Sequence, residues 1–259
     1  MTSVGHAYSM SLVTTLSLDK TLTTVISSIN KYAPEISGRH LDIGSGTGEL
    51  ISQIQAGFDV QSHACDYTDE FMAIDGQHVD IIDLNRDLLP YEDGIFDLVT
   101  FTEVVEHLEH YRLIIREAQR VLKPGGLLVV TTPNILNLKS RIRFLMTGFW
   151  NLFGPLHVGE TAIESAGGHI TPISYFYLAH ALLNAGFDDI HCDYDKYQRS
   201  SIFWLVLLYA PIKIFGSYAF HVERTKYRTL NEHNAYLVEK INHWRMLLGR
   251  TIVVAATKH

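Results

Sequence analysis

Hydrophobic positions along this chain fall at two periods, and each change of period marks the edge of an element. Leu18, Leu22, Val25, Ile29 and Ala33 share one helical face and predict a helix of about four turns, ending before Pro34. An apolar run closing at Leu41-Asp42-Ile43 predicts a first strand, and the helix-compatible stretch Glu49 to Gln55 follows three glycines. Phe58 to Ala64 predicts a second strand, His78 to Ile82 a short third and Phe96 to Phe101 an apolar fourth. Leu108, Tyr111, Ile115, Ala118 and Leu122 lie on one face of a helix that Lys123-Pro124-Gly125-Gly126 stops. Leu127 to Thr132 is a buried fifth strand, Pro172 to Ala185 a helix with Gly186 past its end, and Asp189 to Asp195 a sixth strand. Leu237, Ile241, Trp244 and Leu248 form a helical face before a last strand, Thr251 to Ala256. Strands alternating with helices predict an α/β fold around a doubly wound, mostly parallel sheet of seven strands.

The first turn carries chemistry. Gly44, Gly46 and Gly48 occupy alternate positions where the first strand stops and a helix begins. Such a turn puts backbone N–H groups and a helix N-terminus in one place, and a Cβ there would hold a flat or charged ligand off the backbone. A dinucleotide turn reads G-x-G-x-x-G. Here Glu49 stands where the third glycine would be, which disfavours a nicotinamide-dependent oxidoreductase. The Gly-Lys-Ser/Thr of a P-loop is absent as well. Asp42 would repel a pyrophosphate but suits a ligand with an amino group. Asp66 closes the second strand beside this turn, where two carboxylate oxygens can accept both hydroxyls of a ribose. Tyr67 is placed either to lie on an adenine face or to pack as a surface aromatic.

The stretch Asp42-Ile43-Gly44-Ser45-Gly46-Thr47-Gly48 resembles motif I of the class I S-adenosylmethionine-dependent methyltransferases, an acidic residue followed by G-x-G-x-G. Asp97 to Asn134 resembles the fourth and fifth strands of that fold. Its Glu103-Val104-Val105-Glu106-His107-Leu108 and Val121-Leu122-Lys123-Pro124-Gly125-Gly126 are similar to the small-molecule branch that includes quinone-biosynthesis enzymes. With Asp66, the resemblance covers residues 38 to 135. It implies a Rossmann-like fold, S-adenosylmethionine as methyl donor and S-adenosylhomocysteine as product. It also implies a cofactor site built from Asp42, Gly44, Ser45, Gly46, Gly48, Asp66, Tyr67 and Thr102. Asp83 would read the adenine amino group and Leu84 cover its ring, with Asp80 competing for the acidic role. His107 follows the fourth strand, whose end faces the transferable methyl in this family; it is the first candidate for a general base. Glu103 and Glu106 would orient it or bind substrate, and His169 is the second catalytic candidate. A packing or capping role for either histidine stays open.

Around a core of residues 38–135, the single expected domain carries an N-terminal helix (17–34), a substrate-covering segment (136–171) and an insertion (196–250) before the last strand. The family usually has a short hairpin where this insertion stands. It holds nine Lys and Arg against three Glu, a net +6, on a chain whose total is −7. Its apolar run Ile202 to Ile212 is short of the roughly 20 residues that span a bilayer. The insertion therefore predicts a packed helix or dimer interface, contact of residues 200–228 with an anionic membrane surface, or, against its length, a true span. The acidic remainder disfavours nucleic acid as substrate. Cys65 and Cys192 form no redox or metal motif, and Met1 to Ser11 lacks the basic and apolar parts of a signal peptide. A cytoplasmic protein is expected, peripheral to the inner membrane surface if the insertion binds lipid. The 14 histidines form no recognisable ligand set. No metal is expected, although Glu103, Glu106 and His107 are suitable residue types for a divalent ion. The expected activity is methyl transfer, on oxygen, to a small-molecule, saccharide or lipid-linked acceptor. A non-catalytic cofactor-binding protein of the same fold, or a nucleic-acid methyltransferase, is the alternative.

Overall fold

The computed structural model describes residues 19–156 and 168–259. Leu18, the Met1 to Ser11 segment and residues 157–167 of the covering segment lie outside the described residues.

The periodic segments become α1 (19–32), β1 (Ser37–Ile43), α2 (Glu49–Gly57), β2 (Asp59–Asp66), β3 (Val79–Ile81) and β4 (Phe96–Phe101). Next come α3 (Tyr111–Val121), β5 (Leu122–Pro133), α4 (Leu138–Thr147), α5 (Tyr175–Ala185) and β6 (Phe187–Tyr194). The chain closes with α6 (Ile202–Val222), α7 (Ala235–Ile241), α8 (Trp244–Leu248) and β7 (Thr251–Lys258). The strands form one seven-stranded sheet in the order β3-β2-β1-β4-β5-β7-β6, in which only β7 runs antiparallel to its neighbours.

Alternation along the central strands builds the two cores. Leu98, Leu127, Val129, Val253 and Ala255 face α1 and α2, while Val99, Phe101, Leu128, Val130 and Val254 face α3 and α5. A sheet buried on both faces needs apolar residues at every position, which is why these strands read as continuous runs. The chain winds from β1 outward through β2 and β3, then crosses back to β4 beside β1. That reversal opens a crevice at the C-terminal edge of β1 and β4, where ligands of doubly wound sheets bind. β6 runs parallel to β5, so its end reaches the same edge.

Three sequence expectations need correcting. The Leu237-to-Leu248 face is two helices, because the Arg141 guanidinium takes the Ile241 carbonyl and the Asn242 side chain at 2.8 Å each. β5 opens at Leu122, which pairs with Phe96. Residues 123–126 then bow out around Pro124 and Gly125, and pairing resumes at Leu127. Finally, the apolar run of the insertion continues past Lys213 into a 21-residue helix, α6. At 1.5 Å per residue it is long enough to cross a bilayer, so the length objection fails. A core-packed helix is excluded too, since none of its residues is buried.

Candidate active site

The glycine turn lies at the crevice. Gly44, Gly46 and Gly48 have φ of +73°, +49° and +79°, the left-handed region that favours glycine. The three are not equivalent. A Cβ on Gly44 would meet Val104 Cγ2 at 2.3 Å and one on Gly48 would meet Met72 Sδ at 2.7 Å, whereas one on Gly46 would meet nothing within 4 Å. The outer two are demanded by packing, and Gly46 faces the open space a ligand would fill. The N–H groups of Gly44 and Ser45 donate to the Cys65 carbonyl, tying the turn to β2. Asp66 accepts the Gly46 N–H at 2.8 Å and the Tyr67 N–H at 2.7 Å. A carboxylate accepts about four hydrogen bonds, so capacity remains for two hydroxyls. Ser45 Oγ and Thr102 Oγ1, beside the same crevice, are buried without a partner. Open space at Gly46, spare acceptors on Asp66 and unpartnered hydroxyls fit a nucleoside-type cofactor.

Sequence reasoning missed the network that holds Asp42. The Thr100 hydroxyl donates to Asp42 Oδ1 at 2.6 Å and lies 2.8 Å from His40 Nε2; His40 Nδ1 lies 2.9 Å from Ser62 Oγ. Thr100 has one proton, so it accepts from His40 Nε2–H, and His40 Nδ1 accepts from Ser62. Burial, with His63 nearby, pushes His40 down to about 3 and keeps it neutral. Burial also raises Asp42 to about 7, against the Thr100 bond and with the Asp66 charge assisting. Polar residues at alternate positions of an otherwise apolar strand, His40 and Asp42, were the available signal, because buried polar groups need partners.

The proposed adenine wall is less complete. Tyr67 is exposed, edge-on to Phe71. Asp83 accepts the Asn85 N–H at 3.0 Å and pairs with Arg86, while Asp80 accepts the Tyr91 hydroxyl at 2.7 Å. Leu84 is buried against the main core.

Four titratable groups gather beyond β4. Glu103 has φ +56°, a strained conformation for a side chain of its size; its N–H donates to Thr131 Oγ1, which donates back to Glu103 Oε1 at 3.0 Å. A tight turn follows, Val105–His107. The Glu106 carbonyl accepts the N–H groups of Ile170 and Thr171, and the Thr171 hydroxyl donates to the Leu108 carbonyl. These bonds bring His169 against His107, with ring centroids 4.9 Å apart. His107 Nδ1 donates to the Gly168 carbonyl at 2.8 Å and His169 Nδ1 to the Leu152 carbonyl at 3.2 Å, which leaves both Nε2 atoms as acceptors. Burial lowers both histidines, raises Glu103 to about 7 and raises Glu106 well above the carboxylate range. Both Glu106 carboxyl oxygens are buried without partners. Near neutral pH all four groups are driven toward their uncharged forms. Ligand atoms of Glu106, His107 and His169 lie within 4.8 Å of one another, so this set, rather than Glu103-Glu106-His107, could hold a divalent cation.

Fold and crevice are those of a class I S-adenosylmethionine-dependent methyltransferase. Residues 19–192 match the family model described as a methyltransferase domain, and the chain belongs to that family. It is similar to a ubiquinone/menaquinone biosynthesis C-methyltransferase of Desulfotalea psychrophila, 27% identical over 179 residues, 64% of this chain and 71% of the relative. It is also similar to a ubiquinone biosynthesis O-methyltransferase of Xanthomonas oryzae, 36% identical over 104 residues, 37% of this chain and 43% of that protein. Among solved structures, a SAM-dependent methyltransferase of Archaeoglobus fulgidus superposes with a TM-score of 0.55 at 19% identity, covering 92% of this chain and 94% of that one. Phosphoethanolamine N-methyltransferase 2 of Haemonchus contortus, bound to S-adenosyl-L-methionine, gives 0.51 at 19% identity, covering 91% and 52%. The chain is an S-adenosylmethionine-dependent methyltransferase.

Proposed function

We propose that this enzyme methylates a hydroxyl of an uncharged, quinone-related small molecule, and that the acceptor binds against Glu103, Glu106, His107 and His169. The observation that carries this is the neutral wall. Burial pushes all four ionisable side chains toward their uncharged forms at the crevice edge, Glu103 only as far as about 7, which suits a neutral ring bearing hydroxyls better than a phosphorylated or cationic acceptor. The names of the two quinone-biosynthesis relatives support the same class.

The cofactor supplies an electrophilic methyl on its sulfonium. Asp42 receives its amino group, Asp66 its ribose hydroxyls, and Gly44 to Gly48 let it lie against the backbone, with Ser45 and Thr102 offering hydroxyls. Tyr67 and Asp83 border the adenine end. His107 Nε2 takes the acceptor's hydroxyl proton. The Gly168 carbonyl fixes the tautomer that makes this nitrogen a base. His169 Nε2 positions the acceptor by a hydrogen bond, and Glu106, fully buried beside the two histidines with its carboxyl raised well above the usual range, favours an uncharged neighbour. Much of the remaining catalysis is alignment of the hydroxyl behind the methyl. A lipid-soluble acceptor of this kind would bring the enzyme to a membrane surface.

The test is methyl transfer from labelled donor to a catechol-type acceptor. The His107→Ala variant should lose about 10²–10⁴-fold in kcat, the usual share of a general base, with donor affinity unchanged. A variant with full activity removes His107 from the chemistry. A product methylated on ring carbon replaces the oxygen assignment with that of the C-methyltransferase relative. Absence of S-adenosylmethionine binding in the micromolar range by calorimetry would overturn the cofactor site as placed.

A further inference from the structure

One face of α6 is half-buried at helical spacing: Leu205, Leu208, Ile212, Gly216 and Phe220 turn toward the domain. Gly216 lies so close to Asn242 that a Cβ would meet its Nδ2 at 2.5 Å. The opposite face, Phe203, Val206, Leu207, Ile214, Phe215 and Tyr218, is exposed, with Val206 at 80%. The helix has no Asp or Glu, and Lys213 is its one Lys or Arg. An outward stripe this apolar is the reverse of a solvated surface helix.

Two further features bear on this helix. Asn242, against which Gly216 packs, also accepts from Arg141 of α4, so one side chain links α4 to α6. The last turn of α4 presents Leu145, 85% exposed, and Met146, 75% exposed. At the root of α6 opens a cleft of about 770 Å³, lined by Lys20, Lys196, Arg199, Tyr197 and Trp244. None of its three cations makes an ion pair among the described residues. Burial and the like charge of Arg250 hold Lys196 below its ordinary value, with Asp195 opposing. Arg224, Lys226 and Arg228 stand beyond the other end of the helix.

We infer that this face docks on a bilayer containing acidic phospholipids. The stripe of α6 and the end of α4 would enter the interfacial region, and the basic cleft would receive a phosphate headgroup. Cations flanking an apolar helix free of carboxylates match an anionic lipid surface in both charge and polarity. The helix lies in the plane of the membrane rather than across it. Both of its ends return to the same body: Gln198 N–H donates to the Leu248 carbonyl before it, and Leu230 is buried after it. The root of α6 follows β6, whose end shares the sheet edge with the active site, so docking turns that edge toward the lipid. The inference rests on the proposed function for the origin of the acceptor, which would enter from the bilayer.

Flotation of the full-length protein with vesicles of phosphatidylcholine alone, or mixed with phosphatidylglycerol, tests it. Anionic vesicles should carry the protein up and neutral ones should not. Lys196→Gln and Arg199→Gln should each lower partitioning about fivefold, the contribution of one cation at such a surface. Val206→Glu/Phe215→Glu, and separately Leu145→Glu, should abolish flotation while S-adenosylmethionine affinity, measured by calorimetry on the same samples, stays at the wild-type value. Equal flotation with both vesicle types, or flotation unchanged in the glutamate variants, overturns the inference. So does a stable dimer by light scattering that Val206→Glu dissociates, since the stripe would then meet a second copy. Loss of S-adenosylmethionine binding in the unmutated protein would sink the proposed function and leave the flotation result standing.

Discussion

Replacing Asp42 by asparagine separates what the residue costs the fold from what it gives the cofactor. The side chain is buried beneath the glycine turn, and its carboxyl is raised from 3.8 to about 7. A carboxylate whose folded pKa lies above its unfolded value adds stability in its protonated form. That stability is complete below the unfolded pKa of 3.8 and is lost as pH rises through the folded value near 7. A shift of about three units corresponds to about 4 kcal/mol at 1.36 kcal/mol per unit, an upper bound for the cost of holding the ionised group at pH 8. Asparagine keeps the shape and still accepts the Thr100 hydroxyl, but it carries no charge to desolvate. At pH 8 the ligand-free Asp42→Asn protein should be more stable by about 2–4 kcal/mol, a melting temperature higher by on the order of 5–10 °C. Near pH 4 the two melting temperatures should converge. Affinity for S-adenosylmethionine should fall about 10- to 100-fold, because a charge-assisted contact to its amino group is lost. Calorimetric melts from pH 4 to 8, with cofactor titrations at pH 8, measure both. A variant less stable than wild type at pH 8, or a difference that does not change with pH, would refute the electrostatic argument. Unchanged cofactor affinity would remove Asp42 from the site.

The two glycine tests should diverge in degree. Gly46→Val should abolish cofactor binding and lower the melting temperature only by the backbone cost of a β-branched residue at φ +49°, since its side chain enters open space; Gly44→Val should destabilise the protein further, since it adds to the same backbone cost a clash with Val104, 2.3 Å from the new Cβ. Asp66→Ala should weaken cofactor binding by about 1–3 kcal/mol in equilibrium dialysis, and a wild-type dissociation constant would cancel the ribose assignment. In the pH profile of kcat, the ascending limb should lie below the ordinary histidine value of 6.5, because burial lowers His107 and its neutral form is the base; a limb above 6.5 would assign it to another group.

The cofactor half of the molecule was legible because it is written in backbone requirements. Positive φ at Gly44, Gly46 and Gly48, an acid at the close of β2 and unbroken apolar runs in β4 and β5 are local facts, and all recur in the fold. What escaped depends on pairs distant in sequence. His40 meets Ser62 and Thr100 only once three strands lie in register, and His169 meets His107 only through bonds to the Glu106 carbonyl. The insertion was legible in charge and opaque in extent. Ile202 to Ile212 reads as an isolated run, yet Pro211 and Lys213 are accommodated within a helix that continues to Val222.

Glu106 and α6 show the same thermodynamic oddity at different depths. A carboxyl with both oxygens buried and unpartnered costs stability that an apolar residue of similar size would not. A 21-residue helix with no buried residue leaves apolar surface in water that a soluble fold would cover. Neither is explained by the stability of the isolated chain. Under the proposed function and the docking inference, each would be relieved by a ligand of matching character: a neutral ring closing over the Glu106 site, and lipid against α6. A single amphiphilic acceptor, polar at its reacting end and apolar elsewhere, has both characters. The sheet edge where β4 and β6 end joins the two places. Docking and acceptor binding should therefore be coupled. Anionic vesicles should lower KM for a lipid-soluble acceptor and leave it unchanged for a short water-soluble analogue. Equal effects on the two acceptors would separate the membrane surface from the chemistry.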